Sequence, residues 1–166
     1  IPADIPLIYN VDVRTTDATS GQIYVEWSRP FSNRLDTITN PGPYVFKLFR
    51  ADGLNGTNYT IIKTVTANSF SEITDTTHLD TGLNTVNTAY NYKVAFFARS
   101  NDSLGTSEAA SSVFLSVGTA FEILNLSWSF LVPWTNGSYV IFRKLPGGST
   151  FDSLTTVTTT SYSDTN

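Results

Sequence analysis

The sequence predicts an all-β protein of the sandwich type, one complete module followed by a C-terminally truncated second one. Three observations carry this. Apolar residues alternate with period two in short segments, clusters of Gly, Pro, Asn and Asp punctuate those segments, and after Gly118 the series starts again. With 166 residues the chain has room for two small sandwiches, since such modules close a core within about 100 residues. An apolar share of 40% against 14% charged residues fits chains that fold around a core rather than stay disordered.

The predicted strands, in order, are Ile8 to Thr15, Gln22 to Ser28, Tyr44 to Ala51, Thr60 to Thr66, Ser71 to Thr76, Ala89 to Ser100 and Ala109 to Val117. Period-two alternation of apolar and polar side chains recurs along the chain in such short segments, the mark of strands with one face buried. Between them, Thr19-Ser20-Gly21, Asn40-Pro41-Gly42-Pro43, Asp52-Gly53-Leu54-Asn55-Gly56 and Asn101 to Thr106 are rich in residues that tolerate turn dihedrals. No segment carries a clear helical period.

The second series lies on the first in register. Ile23, Val25 and Trp27 match Leu124, Leu126 and Trp128; Phe46 to Arg50 matches Tyr139 to Arg143; Ile62 to Thr66 matches Leu154 to Thr158; Asp80-Thr81 matches Asp164-Thr165. Matches that keep their order over four segments are what duplication of a module leaves behind.

These residues resemble the fibronectin type III family over nearly the whole chain. The resemblance rests on a Trp in the second strand of each copy (Trp27, Trp128), a third strand ending in an aromatic and Arg, an Asp-Thr-Gly-Leu corner at Asp80 to Leu83, and Tyr90-x-Tyr92-x-Val94-x-Phe96-x-Ala98 followed by Asn101, Gly105 and Ser107. It implies an immunoglobulin-like sandwich without a disulfide, with Tyr90 at the tyrosine corner. A narrower resemblance, in Leu126-Ser127-Trp128, Val132 to Asn136, Tyr139-x-Ile141-x-Arg143 and Tyr162 to Thr165, is to modules of large secreted or surface proteins associated with bacterial gliding motility.

The expected division is 1–117 for the complete module and 118–166 for the partial one. The second copy stops where its penultimate strand should begin, so two strands are expected to be missing. That leaves strand edges open to pairing, including self-association through the second module. The chain is expected to be a piece of a longer exported protein. Only Gly118-Thr119-Ala120 separates the predicted strand Ala109 to Val117 from the next, Phe121 to Ser129, which leaves no flexible linker.

Several function classes are disfavoured. A net charge of −4 with no Lys/Arg run offers no footprint for nucleic acid. No apolar run approaches the roughly 20 residues of a membrane span, so no membrane insertion is expected. Cysteine is absent, which excludes disulfides, thiol nucleophiles and thiolate metal sites. His78, the only histidine, has no Gly-x-Ser-x-Gly elbow to serve and reads as an exposed or edge-strand residue aligned with Tyr162. The carboxylates Glu26, Glu72, Asp75, Asp80 and Glu108 are scattered, unlike the paired acids of glycosidases. Asp52 to Gly56 reads as a hairpin turn rather than a calcium loop, and Pro146 to Ser149 as a turn rather than a phosphate cradle. The Asn-x-Ser/Thr sites, such as Asn55, Asn58, Asn101, Asn125 and Asn136, are at chance frequency in so Asn-, Ser- and Thr-rich a chain.

Aromatic residues remain. Trp27, Trp128, Tyr92, Phe46 and Phe96 have inward parity and read as core. Trp134, Tyr59, Phe97, Phe49 and Phe142 have outward parity or loop positions, and are the candidates for a carbohydrate or protein ligand or for covering a sheet face. The expectation is a non-catalytic structural, spacer or adhesion module at the bacterial cell surface, needing no cofactor or metal, whose partners include neighbouring domains. The competing reading is an accessory carbohydrate-binding module of a secreted polysaccharide-degrading enzyme.

Overall fold

The computed structural model describes residues 5–31 and 33–165; Ile1 and Asn166, which bound the two predicted modules, lie outside them. The described residues are all-β, in antiparallel sheets with a single 3-10 turn at Phe70–Glu72. The chain divides into two compact units, Ile1–Val113 with Phe130–Pro133, and Phe114–Ser129 with Trp134–Asn166.

Unit 1 holds β1 (Ile8–Thr15), β2 (Gly21–Trp27), β3 (Tyr44–Asp52), β4 (Thr60–Ala67), β5 (Thr77–Leu83), β6 (Tyr90–Ala98), β7 (Asp102–Thr106) and the short β8 (Ala110–Ser111). One sheet has the order β1-β2-β5, the other β4-β3-β6-β7, with β8 pairing β6 beyond β7. Strict alternation in β2 sends Ile23, Val25 and Trp27 inward, all fully buried. Facing them across the core are Phe46 and Leu48 of β3 and Val94 and Phe96 of β6. Trp27 meets Phe46 at 6.3 Å between ring centroids, and Phe46 stacks on Phe96 at 4.6 Å, within the range where aromatic pairs attract beyond their burial.

Four predicted segments are corrected. The strand expected over Ser71 to Thr76 is instead the 3-10 turn followed by β5, which begins at Thr77. Glu72 accepts hydrogen bonds from the Asn68 N–H and the Ser69 hydroxyl, and such local side-chain bonding competes with a sheet ladder. The Asp80 to Leu83 segment, expected as a corner, is the end of β5, with Gly82 the extra residue of a bulge between Thr81 and Leu83. Asn101 to Thr106, expected as a turn, contains β7, a polar edge strand; the reversal falls at Arg99 and Ser100, both at positive φ. Ala109 to Val117 is not one strand. Ala110–Ser111 pairs with β6, while Phe114–Ala120 opens unit 2 and takes in the expected linker Gly118 to Ala120.

Serine hydroxyls finish the ladder where β7 and β8 fail to join. The Val94 N–H donates to Ser107 Oγ at 2.9 Å while the Ser107 N–H donates to the Val94 carbonyl at 2.8 Å. Ser112 repeats the arrangement on Tyr90, at 3.1 and 2.8 Å. Each serine stands in for a strand residue, so the buried backbone of β6 keeps its partners.

Unit 2 holds β9 (Phe114–Ala120), β10 (Ile123–Ser129), β11 (Tyr139–Arg143), β12 (Asp152–Val157) and β13 (Ser161–Asp164), in sheets β13-β10-β9 and β11-β12. These correspond to β1 to β5 strand for strand. Val25 pairs with His78 and Ile23 with Asp80; Leu126 pairs with Tyr162 and Leu124 with Asp164. The Trp27 N–H donates to the Thr76 carbonyl, and the Trp128 N–H to that of Thr160, each at 3.0 Å. Even the buried indole N–H groups of both tryptophans lack an acceptor alike, among the described residues.

The described part of unit 2 has no counterpart of β6, β7 or β8, and the exposure of matched residues records the difference. Ile23 is 0% exposed and its match Leu124 is 42% exposed. Leu115 and Val117, which pair opposite Trp128 and Leu126, are also exposed.

Candidate functional site

Outward parity brings three of the five candidate aromatics onto one surface. Val45, Lys47 and Phe49 of β3 lie opposite Phe97, Ala95 and Lys93 of β6, on the face turned away from the core. Tyr59, in the loop before β4, joins this face by hydrogen bonding to Asn91. Two lysines interleave with the rings. Lys47 Nζ sits 4.6 Å from the centre of Phe97 and Lys93 Nζ 5.0 Å from that of Tyr59, both within cation–π range. Phe49, Phe97 and Tyr59 are all half-buried. The lysines went unnoticed in the sequence, although their parity matches that of Phe49 and Phe97.

The remaining two candidates belong to unit 2. Trp134 is half-buried in the loop between β10 and β11, and Phe142 is 55% exposed on the outward parity of β11 beside Val140.

Tyr59 also has a structural duty. Its hydroxyl donates to Asn91 Oδ1, and Asn91 Nδ2 donates to the Gly53 and Gly56 carbonyls at 2.6 and 3.3 Å. Burial pushes the Tyr59 hydroxyl pKa up. The Asp52 to Gly56 turn is therefore pinned to β6 by its carbonyls, the groups a calcium ion would need.

The acids likewise act locally. Glu26 accepts from Asn10 and Tyr24, Asp75 pairs with Lys63 at 2.6 Å, and Asp17 accepts from the Thr19 and Ser20 N–H groups at 2.7 and 2.8 Å. Those turn hydrogen bonds hold the Asp17 carboxyl down at about 2. Among the described residues no group of three or more His, Asp or Glu is placed to hold a metal ion, and no helix is long and apolar enough to cross a membrane.

Asp80 is the most constrained acid. It is buried on the inner face of β5, takes Arg50 on both oxygens at 2.9 and 3.0 Å, and accepts the Tyr92 hydroxyl at 3.0 Å. Desolvation, reinforced by the Asp80 charge, pushes the Tyr92 pKa far up, so its proton stays on the bond. Unit 2 repeats the ion pair, with Arg143 on both oxygens of Asp164 at 2.9 Å. Here the sequence held a signal that its reading left unused: charges at inward parity in both copies, Arg50 with Arg143 and Asp80 with Asp164.

His78 lies beside this cluster on the inner parity of β5, half-buried at the edge of its sheet. Desolvation lowers its pKa, against the pull of Asp80. In comparison with known proteins, the sequence matches no family model and no curated protein.

Proposed function

We propose that the chain is a tandem of fibronectin type III-like modules with a non-catalytic role: it spaces or presents neighbouring domains of an exported bacterial surface protein. The observation that carries this reading is the repetition of one architecture, down to the inter-sheet Arg–Asp pair and the Trp backbone hydrogen bond, in two consecutive units. Repeated modules extend a chain without adding chemistry. The order β1-β2-β5 against β4-β3-β6-β7 supports the family reading, as does the Tyr90 hydroxyl, which accepts the Asn84 N–H at 3.0 Å across the bend before β6. The resemblance to modules of gliding-associated surface proteins supports the location.

The competing reading, an accessory carbohydrate-binding module, draws on the exposed Phe142. A panel of soluble polysaccharides titrated against the chain separates the two, alongside antibody labelling of intact cells. The spacer reading expects surface labelling and no saturable binding below about 1 mM. Saturable binding that Phe142→Ala or Trp134→Ala abolishes would establish the carbohydrate reading instead. Labelling only after lysis would remove the surface location.

A further inference from the structure

Two Asn-Gly sequences occur in the chain, Asn55-Gly56 and Asn136-Gly137. An asparagine before glycine is open to attack on its own side chain, because glycine sets no Cβ beside the attacking backbone nitrogen and its dihedrals turn freely. The structure gives the two pairs opposite surroundings. Asn55-Gly56 sits in the turn pinned to β6. The Gly56 N–H donates to the Gly53 carbonyl at 3.4 Å, while Asn91 Nδ2 donates to the Gly53 and Gly56 carbonyls at 2.6 and 3.3 Å. The peptide is also wedged, since a Cβ on Gly56 would collide with the Asp52 carbonyl. Asn136-Gly137 lies in irregular backbone between β10 and β11, where Thr135 to Ser138 are all exposed and nothing stands within 4 Å of the Gly137 Cβ position. Neither the Asn136 amide nor the Gly137 N–H has a hydrogen-bond partner among the described residues.

We infer that Asn136 is a site of spontaneous deamidation, and that the fold withholds Asn55 from the same reaction. Water acting as base takes the Gly137 amide proton, and the nitrogen attacks Asn136 Cγ. The new C–N bond closes a succinimide ring, the Cγ–Nδ2 bond breaks, and Nδ2 leaves as ammonia with the proton. Water then adds to either ring carbonyl and opens the ring. The product is an aspartyl residue at position 136 or an isoaspartyl residue, in which the main chain is longer by one methylene. The balance is one water consumed and one ammonia released. A carboxylate replaces a neutral amide, adding one negative charge to a net −4, in the loop that also holds Trp134. The altered bond lies outside every strand, so β11 should keep its pairing with β12. The reaction needs only the chain and water and does not depend on the spacer role.

The test is to age the whole chain in mildly alkaline buffer and follow both pairs by proteolytic peptide mapping and mass spectrometry, with fragmentation that tells isoaspartate from aspartate. The peptide holding Asn136 should gain the mass difference between amide and acid, in both product forms. It should do so at least about tenfold faster than the peptide holding Asn55, which must first break the hydrogen bonds of its turn. In concentrated urea the two rates should converge, because both pairs then lie in open chain. Gly137→Ala should slow the reaction at position 136 several-fold and leave that at Asn55 unchanged.

Equal rates in the folded chain, or a faster reaction at Asn55, would overturn the inference. So would an Asn136 that stays intact in the folded chain, because the loop would then hold its pair as firmly as the turn does. A rate gap that persists in urea would also refute it, since the selectivity would then belong to the neighbouring residues and not to the fold.

Discussion

Arg50 Nη1 of β3 reaches both carboxylate oxygens of Asp80 on β5, at 2.9 and 3.0 Å, and so ties the two sheets of unit 1 together through the core. The side chain of Asp80 is 7% exposed, and its Oδ2 also accepts the Tyr92 hydroxyl. Removing one partner of a buried pair strands the other charge away from water. Asp80→Asn should therefore cost about 3 kcal/mol in urea unfolding. Tyr92→Phe, which deletes one hydrogen bond to that carboxylate and leaves the ion pair, should cost about 1.5–2 kcal/mol. A double mutant that costs as much as the two singles summed would show that the three groups do not act as a unit.

The serines that complete β6 give a second test. Ser112→Ala removes the acceptor of the buried Tyr90 N–H and should cost about 2 kcal/mol, the penalty for an unsatisfied buried donor. Ser103→Ala, on exposed polar β7, should stay within about 0.5 kcal/mol of wild type. Chemical denaturation of both variants checks the contrast.

These particulars also explain how much was legible in the sequence. β2 buries one face completely and β3 does so from Tyr44 to Leu48, and that burial writes period-two alternation into the residues; their limits fell within one residue of those expected. β5 was misplaced because its inward residues are His78 and Asp80, polar groups that belong inside only because Arg50 reaches across to one of them. No local pattern announces a partner thirty positions away. β7 was missed for the opposite reason: as an edge strand it buries little and so carries polar residues and a glycine. At the surface, parity placed Phe49 and Phe97 on the outer face. That Lys47 and Lys93 cover rings there follows from cross-strand register, which a single strand's sequence does not contain.

Two glycines of unit 1 separate strain from crowding. Gly82 has φ +73° and open space where a Cβ would stand, so Gly82→Ala should cost about 1 kcal/mol from backbone conformation alone. At Gly21 an added Cβ would run into Thr85 Oγ1 and stand 2.7 Å from the Leu83 carbonyl. That hydroxyl cannot move aside cheaply, since it donates to the Thr15 carbonyl and accepts the Asp17 N–H, both at 2.9 Å. Gly21→Ala should cost about 3 kcal/mol. Thermal unfolding of the pair should place Gly21→Ala well below Gly82→Ala; the reverse order would contradict the bulge geometry of β5.

His78 sets the last expectation, a pH dependence near neutrality. Its pKa in the fold lies below the ordinary 6.5, chiefly because partial burial disfavours the imidazolium, with Lys63 and Arg50 adding to the effect and Asp80 and Asp75 opposing it. Above pH 6.5 the ring is neutral in both the folded and unfolded chain and costs nothing. As pH falls below that value the unfolded chain takes up the proton first, so stability declines until the folded-state pKa is passed. Tyr162 occupies the matching position of unit 2, opposite Leu126 as His78 is opposite Val25, so that register already accommodates a tyrosine ring. His78→Tyr should fold as wild type at pH 7.5 and lose the part of the decline between pH 7 and pH 5 that belongs to the imidazole. Urea midpoints measured across that window, with a proton NMR titration of the ring, test both halves. A ring midpoint above 6.5, or an unchanged slope in His78→Tyr, would mean that Asp80 and Asp75 outweigh burial and that His78 is charged within the fold.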